Sequence, residues 1–446
     1  MSKPRVAIIG GGVAGATAAV HLGELGVNVF LIERSSGLVN GPPICHLHAG
    51  GNLYREISQE QCLELLRQSI ETVRLYRHTL NKRPTILAIP TNDPGEPEAM
   101  LPRLEVIKQS YQELVQADPQ NQVLGDPAHY YQQYSRADLE RLSQLEQPEH
   151  PQVTDDWMIP FAKYADLQRL KFPVVAVQEY GWSVFRLAAM ATLTLERLPN
   201  CTLLTSSTLT DSVFKEEQWF LKYTDQAGQQ REITVDYLVN ACGYETGKLD
   251  DLTGNQCERM VEFKAAYVTR WSDTRCVWPE VIFHGQRGTS QGMAQLTPYA
   301  DGVFQFTRDD PGYYVIPGGL VQTDGDSAQP QLPDHLQEKL DRGWSELKVQ
   351  ERSVRAISYI GQFIPAYDGA QVYGQPLYGA QQIPGHDKTL WAADVTFGHH
   401  NYARIEIVSG PSALEAARKI VMYWGLTGQE LRGPFLLSSN IRSVCR

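Results

Sequence analysis

The chain is 446 residues long, with 42% hydrophobic and 20% charged residues, a composition that excludes a disordered or fibrous chain and suits two or three globular domains. Its 51 acidic and 40 basic side chains leave a formal charge of −11, which repels phosphate backbones and argues against nucleic acid as a partner. No apolar run approaches the roughly 20 residues that cross a bilayer, glycines follow the short run at 6–9 too soon for a signal peptide, and seven scattered cysteines without a CxxC pair point to a reducing, cytoplasmic setting with no metal site.

Residues 5–34 read RVAIIGGGVAGATAAVHLGELGVNVFLIER. The β-branched run 6–9 predicts a buried parallel strand, and Gly10, Gly12 and Gly15 form G-x-G-x-x-G at its end. Gly10 permits the tight turn and Gly12 lets backbone approach a pyrophosphate. Gly15 lets the next helix, which begins with Val13 and Ala14, lie close to the strand; its N-terminus faces the phosphate charge. A second strand over 27–32 ends in Glu33, 18 residues past Gly15 and placed to accept hydrogen bonds from ribose hydroxyls. With Arg34 the only basic neighbour, a 2′-phosphate is disfavoured, leaving NAD or FAD.

A glycine-rich loop follows, CHLHAGGNLY at 45–54, then a helix from 58 with Ser58 and Gln61 as a capping box and Leu63, Leu66, Ile70, Val73 and Leu80 at helical spacing. Weaker helices are expected near 103–116 and 136–146, and a firmer one over 183–198. Apolar runs at 213–214 and 219–221 predict a hairpin, and ITVDYLVNACG at 233–243 one apolar strand ending in Asn240-Ala241-Cys242-Gly243. AAYVTRW, EVIFHG, GVFQFTR and GYYVIPGG read as strands of a further sheet, and 323–333 as a turn-rich loop. Near the C-terminus, LWAADVTFGHHNYARIEIVSG predicts a strand, Asp394, a Gly-His-His-Asn turn and then a helix from about 411, closed by Gly425. A fingerprint at the start of a long chain, with two later strand units returning towards it, favours FAD over NAD.

On four stretches the chain resembles the FAD-dependent oxidoreductases of the D-amino-acid oxidase, glycine oxidase and 2-hydroxyglutarate dehydrogenase family. They are GGGVAG with Glu33, CHLHAGGNLY, FPVVAVQEYGWSVFRLAAMATLTL leading to DYLVNACG, and the pair IPAYDGAQVYGQPLYG and FGHHNYARI. The resemblance implies an α/β fold: a discontinuous Rossmann-like FAD-binding domain plus an α+β substrate domain with a mainly antiparallel sheet. On that reading 1–85, 165–250 and 355–446 bind FAD, while 86–164 and 251–354 form the substrate, or cap, domain. Two departures stand out. Asp394 in WAAD looks more like the ribityl-binding acid of flavin hydroxylases, and His400-Asn401-Tyr402-Ala403-Arg404 replaces the family's glycine-rich run.

The residues expected to hold FAD are Gly10, Gly12, Val13, Ala14, Gly15, Glu33, Arg34, His48, Ala49, Gly50, Gly243, Asp394, Gly398, His399, His400 and Asn401. In some members of the family a histidine in a loop like 48–51 is joined covalently to the flavin; noncovalent members carry the same loop. The residues expected to act on substrate are His46 and His48, one of them as a general base, since an imidazole titrates near neutral pH, and Arg355 and Arg404, as candidates for a forked clamp on a carboxylate. Tyr313 and Tyr314 are candidates for lining the pocket. The implied activity is hydride transfer from a small carboxylate-bearing amine or 2-hydroxy acid to FAD, which oxygen or a quinone reoxidises. Asp394 motivates one rival, a flavin monooxygenase using NADPH; a non-catalytic flavin-fold binding protein is the other.

Overall fold

The computed structural model describes residues 3–40, 47, 51–272, 275–286, 292–308, 320–387 and 389–426. His46, His48, Ala49, Gly50, Tyr313 and Tyr314 lie outside them. Among the described residues the strands form two main sheets.

The first sheet has six strands, in the order Val395–Phe397, Tyr402–Ile405, Tyr237–Asn240, β1 (Arg5–Ile9), β2 (Asn28–Ile32) and Cys201–Leu204. All run parallel except the first, an antiparallel edge. β1 sits inside this sheet and is buried on both faces, as its unbroken apolar run requires. Its residues divide by parity. Val6 and Ile8 face α1 (Val13–Glu24), whose Ala16, Ala19 and Val20 pack there with Leu187 of helix Val184–Arg197 and Ile420 of helix Ser412–Trp424. Ala7 and Ile9 face the other way, onto Trp219, Leu221, Tyr223 and Val235 of a three-stranded antiparallel sheet.

The expected single strand at 233–243 is two. Gln230–Val235 belongs to the three-stranded sheet and Tyr237–Asn240 to the parallel one. The break falls at Asp236, whose carboxylate accepts from the Arg5 amide and the Gln218 side chain, both at 2.9 Å. The helix after the glycine-rich loop, α2 (Gln59–Leu75), stops before Leu80, which instead pairs with Trp182 in a short ladder. Ser58 accepts from the Gln61 amide, but the Gln61 side chain does not complete the capping box. It reaches the 389–392 loop, donating to the Thr389 carbonyl and accepting from the amides of Trp391 and Ala392.

The second sheet has ten strands and is mostly antiparallel. Its exception is Glu280–Phe283, parallel to Thr85–Ala88. Val174–Val177, Gln371–Val372 and Leu377–Pro384 also belong to it. The segments 165–250 and 355–446 are therefore shared between the two sheets rather than given wholly to the first, as expected. Nor is 251–354 all β: helices Asp334–Arg342 and Glu346–Gly361 follow the strands. The second carries Val349, Ser353, Ala356, Ile357 and Ile360 on one buried stripe. Ile357 and Ile360 pack with Phe263, Tyr267, Phe283, Phe304 and Phe306 into an aromatic core on one face of the sheet.

Candidate functional site

β1 ends at Ile9, and the chain must turn at once to start α1. Gly10 takes φ +99°, and a Cβ there would lie 2.4 Å from the Ala241 carbonyl oxygen. A Cβ at Gly15 would lie 1.8 Å from the Gly10 oxygen, so only glycine lets α1 sit this close to the turn. Gly12 is the opposite case. Nothing lies within 4 Å of where its Cβ would be, and no side chain caps α1. The first helical amides, at Val13 and Ala14, thus open onto space that suits a phosphate. Gly243, past the neighbouring strand, has the same open space.

Glu33 is 9% exposed and held by two backbone amides, Gly11 to Oε2 at 2.6 Å and Ser35 to Oε1 at 2.7 Å. Each carboxylate oxygen keeps a second lone pair, so the group is fixed in place yet can accept from ribose hydroxyls. Arg34 pairs with Glu245 at 2.6 Å, and Lys248 meets the same carboxylate at 2.6 Å. Both basic groups on this side are engaged, which suits a dinucleotide without a 2′-phosphate. Glycine space, amides and a fixed acid together fit an adenine dinucleotide at the carboxyl ends of parallel strands.

The stretch Glu406–Gly410, which leads from Tyr402–Ile405 into the C-terminal helix, lies at the same carboxyl end. Several side chains wedge it. Gln381 donates to the Val408 carbonyl and Gln382 to that of Ile405 at 3.3 Å. From α2, Thr72 donates to the Pro411 carbonyl at 3.0 Å, and Gln68 accepts from the Ser412 hydroxyl at 2.6 Å. The Trp182 ring lies 2.7 Å from where a Cβ at Gly410 would be. Sequence reasoning passed over these residues, though an apolar strand running through Ser409-Gly410-Pro411 into a helix marks the same strand-to-helix geometry as the first glycine turn.

It gave that place instead to Gly398, His399, His400 and Asn401. The register Leu238↔Tyr402 puts their turn at the amino ends of the parallel strands, far from Gly10. It is a hairpin turn, with His400 and Asn401 at φ 62° and 53°. The His400 ring stacks on Phe214 at 4.5 Å, its carbonyl accepts from Trp219 at 2.7 Å, and Asn401 donates to the Asp236 carbonyl at 3.2 Å. A strand, Tyr402–Ile405, separates the turn from the helix, which the sequence reading had joined directly. Asp394 does reach the carboxyl end, its carbonyl accepting from the Glu406 amide at 2.9 Å, while its side chain is taken by Lys419 of the last helix.

Arg404 is not available to a substrate. It is 1% exposed and donates to Asp250 at 2.7 Å and to the Asn255 carbonyl. Arg259 and Tyr402 share the same carboxylate, and Glu406 faces Arg259 at 3.4 Å. Burial pushes the Glu406 carboxyl up, with the arginines opposing. Two guanidinium groups and two carboxylates thus close a buried cluster between the sheets. Arg355 is exposed on helix Glu346–Gly361, which covers the aromatic side of the large sheet. Neither arginine forms the expected clamp.

The other face of that sheet is different. At one end it is apolar, with Leu87, Val175, Val177 and Ile282 under Leu104 of helix Leu101–Ala117. At its centre it turns polar. Val281, Leu296, Phe304 and Phe306 point into the aromatic core, so Glu280, Gln295, Thr297 and Gln305 point away from it. His284 extends the same strand and face, its amide donating to the Ala88 carbonyl at 2.8 Å. It is 5% exposed, and the Tyr54 ring meets it edge-on at 5.3 Å. Arg55, beside Tyr54, grips Asp93 through two hydrogen bonds of 3.0 and 2.7 Å. Burial first, and Arg55 second, lower the His284 pKa to about 4 while Asp93 opposes, so the imidazole is neutral. Its Nε2 has no hydrogen-bond partner among the described residues. Sequence reasoning noted EVIFHG as a strand but not that its alternation aims His284 away from the apolar core.

Among the described residues no group of three or more His, Cys, Asp or Glu side chains could hold a metal ion, and no helix is long and apolar enough to cross a membrane. The model of the FAD dependent oxidoreductase family matches residues 5–399. No curated protein matches the sequence. Solved structures share the fold at low identity. A glycerol-3-phosphate dehydrogenase from Bacillus halodurans complexed with FAD aligns at 12% identity and TM-score 0.55, over 95% of this chain and 65% of its own, so the chain spans about two thirds of that protein. Glycine oxidase from Geobacillus kaustophilus aligns at 12% identity and TM-score 0.56, over 98% of this chain and 100% of that one. L-amino acid deaminase from Proteus vulgaris aligns at 12% identity and TM-score 0.58, over 96% and 95%.

Proposed function

Because this chain belongs to the FAD dependent oxidoreductase family, matched over residues 5–399, we propose that it oxidises a small amine or 2-hydroxy acid bearing a carboxylate and that oxygen or a quinone serves as final acceptor. The observation that carries this reading is a buried polar sheet face, with a neutral histidine whose Nε2 is unpartnered among the described residues, in a chain whose glycine turn leaves open space at the start of α1. FAD, when bound, supplies the two-electron acceptor. Gly10, Gly12, Val13, Ala14 and Gly15 would hold its pyrophosphate, Glu33 its ribose, and Glu406–Gly410 with the start of the last helix the flavin end. His284 would accept the proton that leaves the substrate nitrogen or hydroxyl, since a neutral imidazole offers one lone pair.

A panel of amino and 2-hydroxy acids, added anaerobically to the purified yellow protein, tests the reading. At least one should bleach the flavin. Bleaching by NADPH alone would instead mark a monooxygenase, and a colourless, stable protein a binding module.

Two further outcomes are expected. Replacing His284 with Asn should lower kcat/KM about a hundredfold, the low end for loss of a general base, with FAD content unchanged. With a 2-hydroxy acid, which carries no ammonium to titrate, a base that is neutral down to about pH 4 in the free enzyme also gives a flat kcat/KM profile between pH 5 and 7; an acid limb near 6.5 that His284→Asn removes would place the imidazole in water and sink the assignment. Acid precipitation should release the flavin into the supernatant. A pellet that stays yellow, with the attachment mapped to His48, would show a covalent bond.

A further inference from the structure

The polar residues on the large sheet are not scattered; they form one row across four strands. Thr85 pairs with Glu280, and Thr297 pairs with Gln305. Val281 pairs with Leu296, which sets Glu280 beside Thr297 and closes the row. The four are between 0% and 2% exposed, far below the usual exposure of such side chains.

Part of the row is satisfied from within. Glu280 accepts from Gln295 and, at 3.2 Å, from Arg83. Thr85 donates to the Glu179 carbonyl at 2.7 Å. The Gln305 carbonyl oxygen accepts from the Tyr299 hydroxyl at 2.8 Å, which turns its amide nitrogen away from that hydroxyl. What is left over is one kind of capacity. Gln305 Nε2, Thr297 Oγ1 and Arg83 Nε have no hydrogen-bond partner among the described residues. The amide and guanidinium nitrogens are obligate donors, and the hydroxyl can donate. Three buried donors without an acceptor describe the complement of an oxygen-rich group.

The row is also tied to the start of the last helix. A Cβ at Gly181 would lie 2.6 Å from Arg83 Nη1, and the next residue, Trp182, is the ring that touches Gly410 at the mouth of the last helix. Contacts therefore run from that helix start through Trp182 and Arg83 to Glu280, Thr297 and Gln305.

We propose that Thr297 and Gln305 bind the substrate carboxylate by hydrogen bonds, with Arg83 holding the charge of the neighbouring Glu280 in an ion pair at 3.2 Å. The assignment rests on the reading of the substrate as a carboxylate-bearing amine or hydroxy acid. It makes the two side chains specificity residues, and fixes the group so that the adjoining carbon is presented to the flavin.

The test is a titration of the FAD-loaded protein with acetate, pyruvate and benzoate, followed by the flavin difference spectrum, with acetamide and benzamide in parallel. Thr297→Val and Gln305→Met preserve size and remove the donors; the second also removes the oxygen that accepts from the Tyr299 hydroxyl. Each should weaken carboxylate binding at least tenfold with FAD content unchanged, and Thr297→Val should melt at or above the temperature of the parent chain, since a buried unpartnered polar group is lost. Parent-like carboxylate binding in both variants would overturn the assignment while leaving the substrate reading intact. If the parent ignores carboxylates but binds the amides, and both variants lose that binding, the row stands and the carboxylate reading falls. A parent that responds to neither class removes both.

Discussion

Replacing Asp250 with Asn should destabilise the chain by about 3–5 kcal/mol, the usual effect of breaking a buried ion pair by removing one partner. Asp250 is fully buried and accepts from Arg259, from Arg404 at 2.7 Å and from Tyr402 at 2.7 Å. An amide keeps the shape but leaves two guanidinium groups facing Glu406 alone, whose carboxyl burial already pushes towards the neutral form. Water cannot reach the site to screen the surplus charge. A fall in the urea midpoint measures the effect, and a loss below 1 kcal/mol would show that the cluster is not coupled as described. Arg404→Ala should behave in the same way, losing stability rather than only raising KM, which separates a buried positioning residue from a substrate clamp.

The second large effect is expected at Glu33. Two ribose hydroxyls donating to a fixed carboxylate make charge-assisted bonds worth on the order of 1.5–3 kcal/mol each. Glu33→Ala removes both and strips the acceptor from the Gly11 and Ser35 amides that now hold it. FAD affinity should fall by about 3 kcal/mol or more, a hundredfold or more in Kd. The protein should purify largely as apoprotein or lose its colour on dialysis. Retention of FAD at the parent affinity would move the adenosine ribose elsewhere.

The geometry of the glycine turn was legible because its constraints are local. Gly10, Gly12, Gly15 and Glu33 fall within 24 residues, and each residue type follows from one turn, one helix start and one strand end. The proposed substrate end was not, because it is assembled by pairing. Thr297 and Gln305 become neighbours only through strand register, and His284 is an ordinary histidine until Ile282 and Phe283 are known to face opposite ways. Arg404 misled for a related reason. Its motif context looked like a loop beside the flavin, but the strand Tyr402–Ile405 carries it into the interior, where Asp250, ten residues past Asn240, meets it. The stripe of helix Glu346–Gly361 was readable from periodicity alone and was overlooked beside the strands before it.

The order of strands in the parallel sheet bears on how the chain is made. β1 and β2 leave the ribosome before the other strands of their sheet, yet Val6 pairs with Tyr237, and the strand beyond that begins at Tyr402. At roughly 5–20 residues per second, the apolar edge of β1 waits roughly 10–40 seconds for its partner. The sheet next to it then waits for a hairpin that is synthesised only after the whole second sheet. Closing such long loops before any pairing rewards them makes nucleation slow, and it leaves flat apolar strand edges open to neighbouring chains meanwhile. On the proposed placement, a dinucleotide would bridge the glycine turn and the last helix, and its arrival would act on the assembly of the molecule as well as on its chemistry.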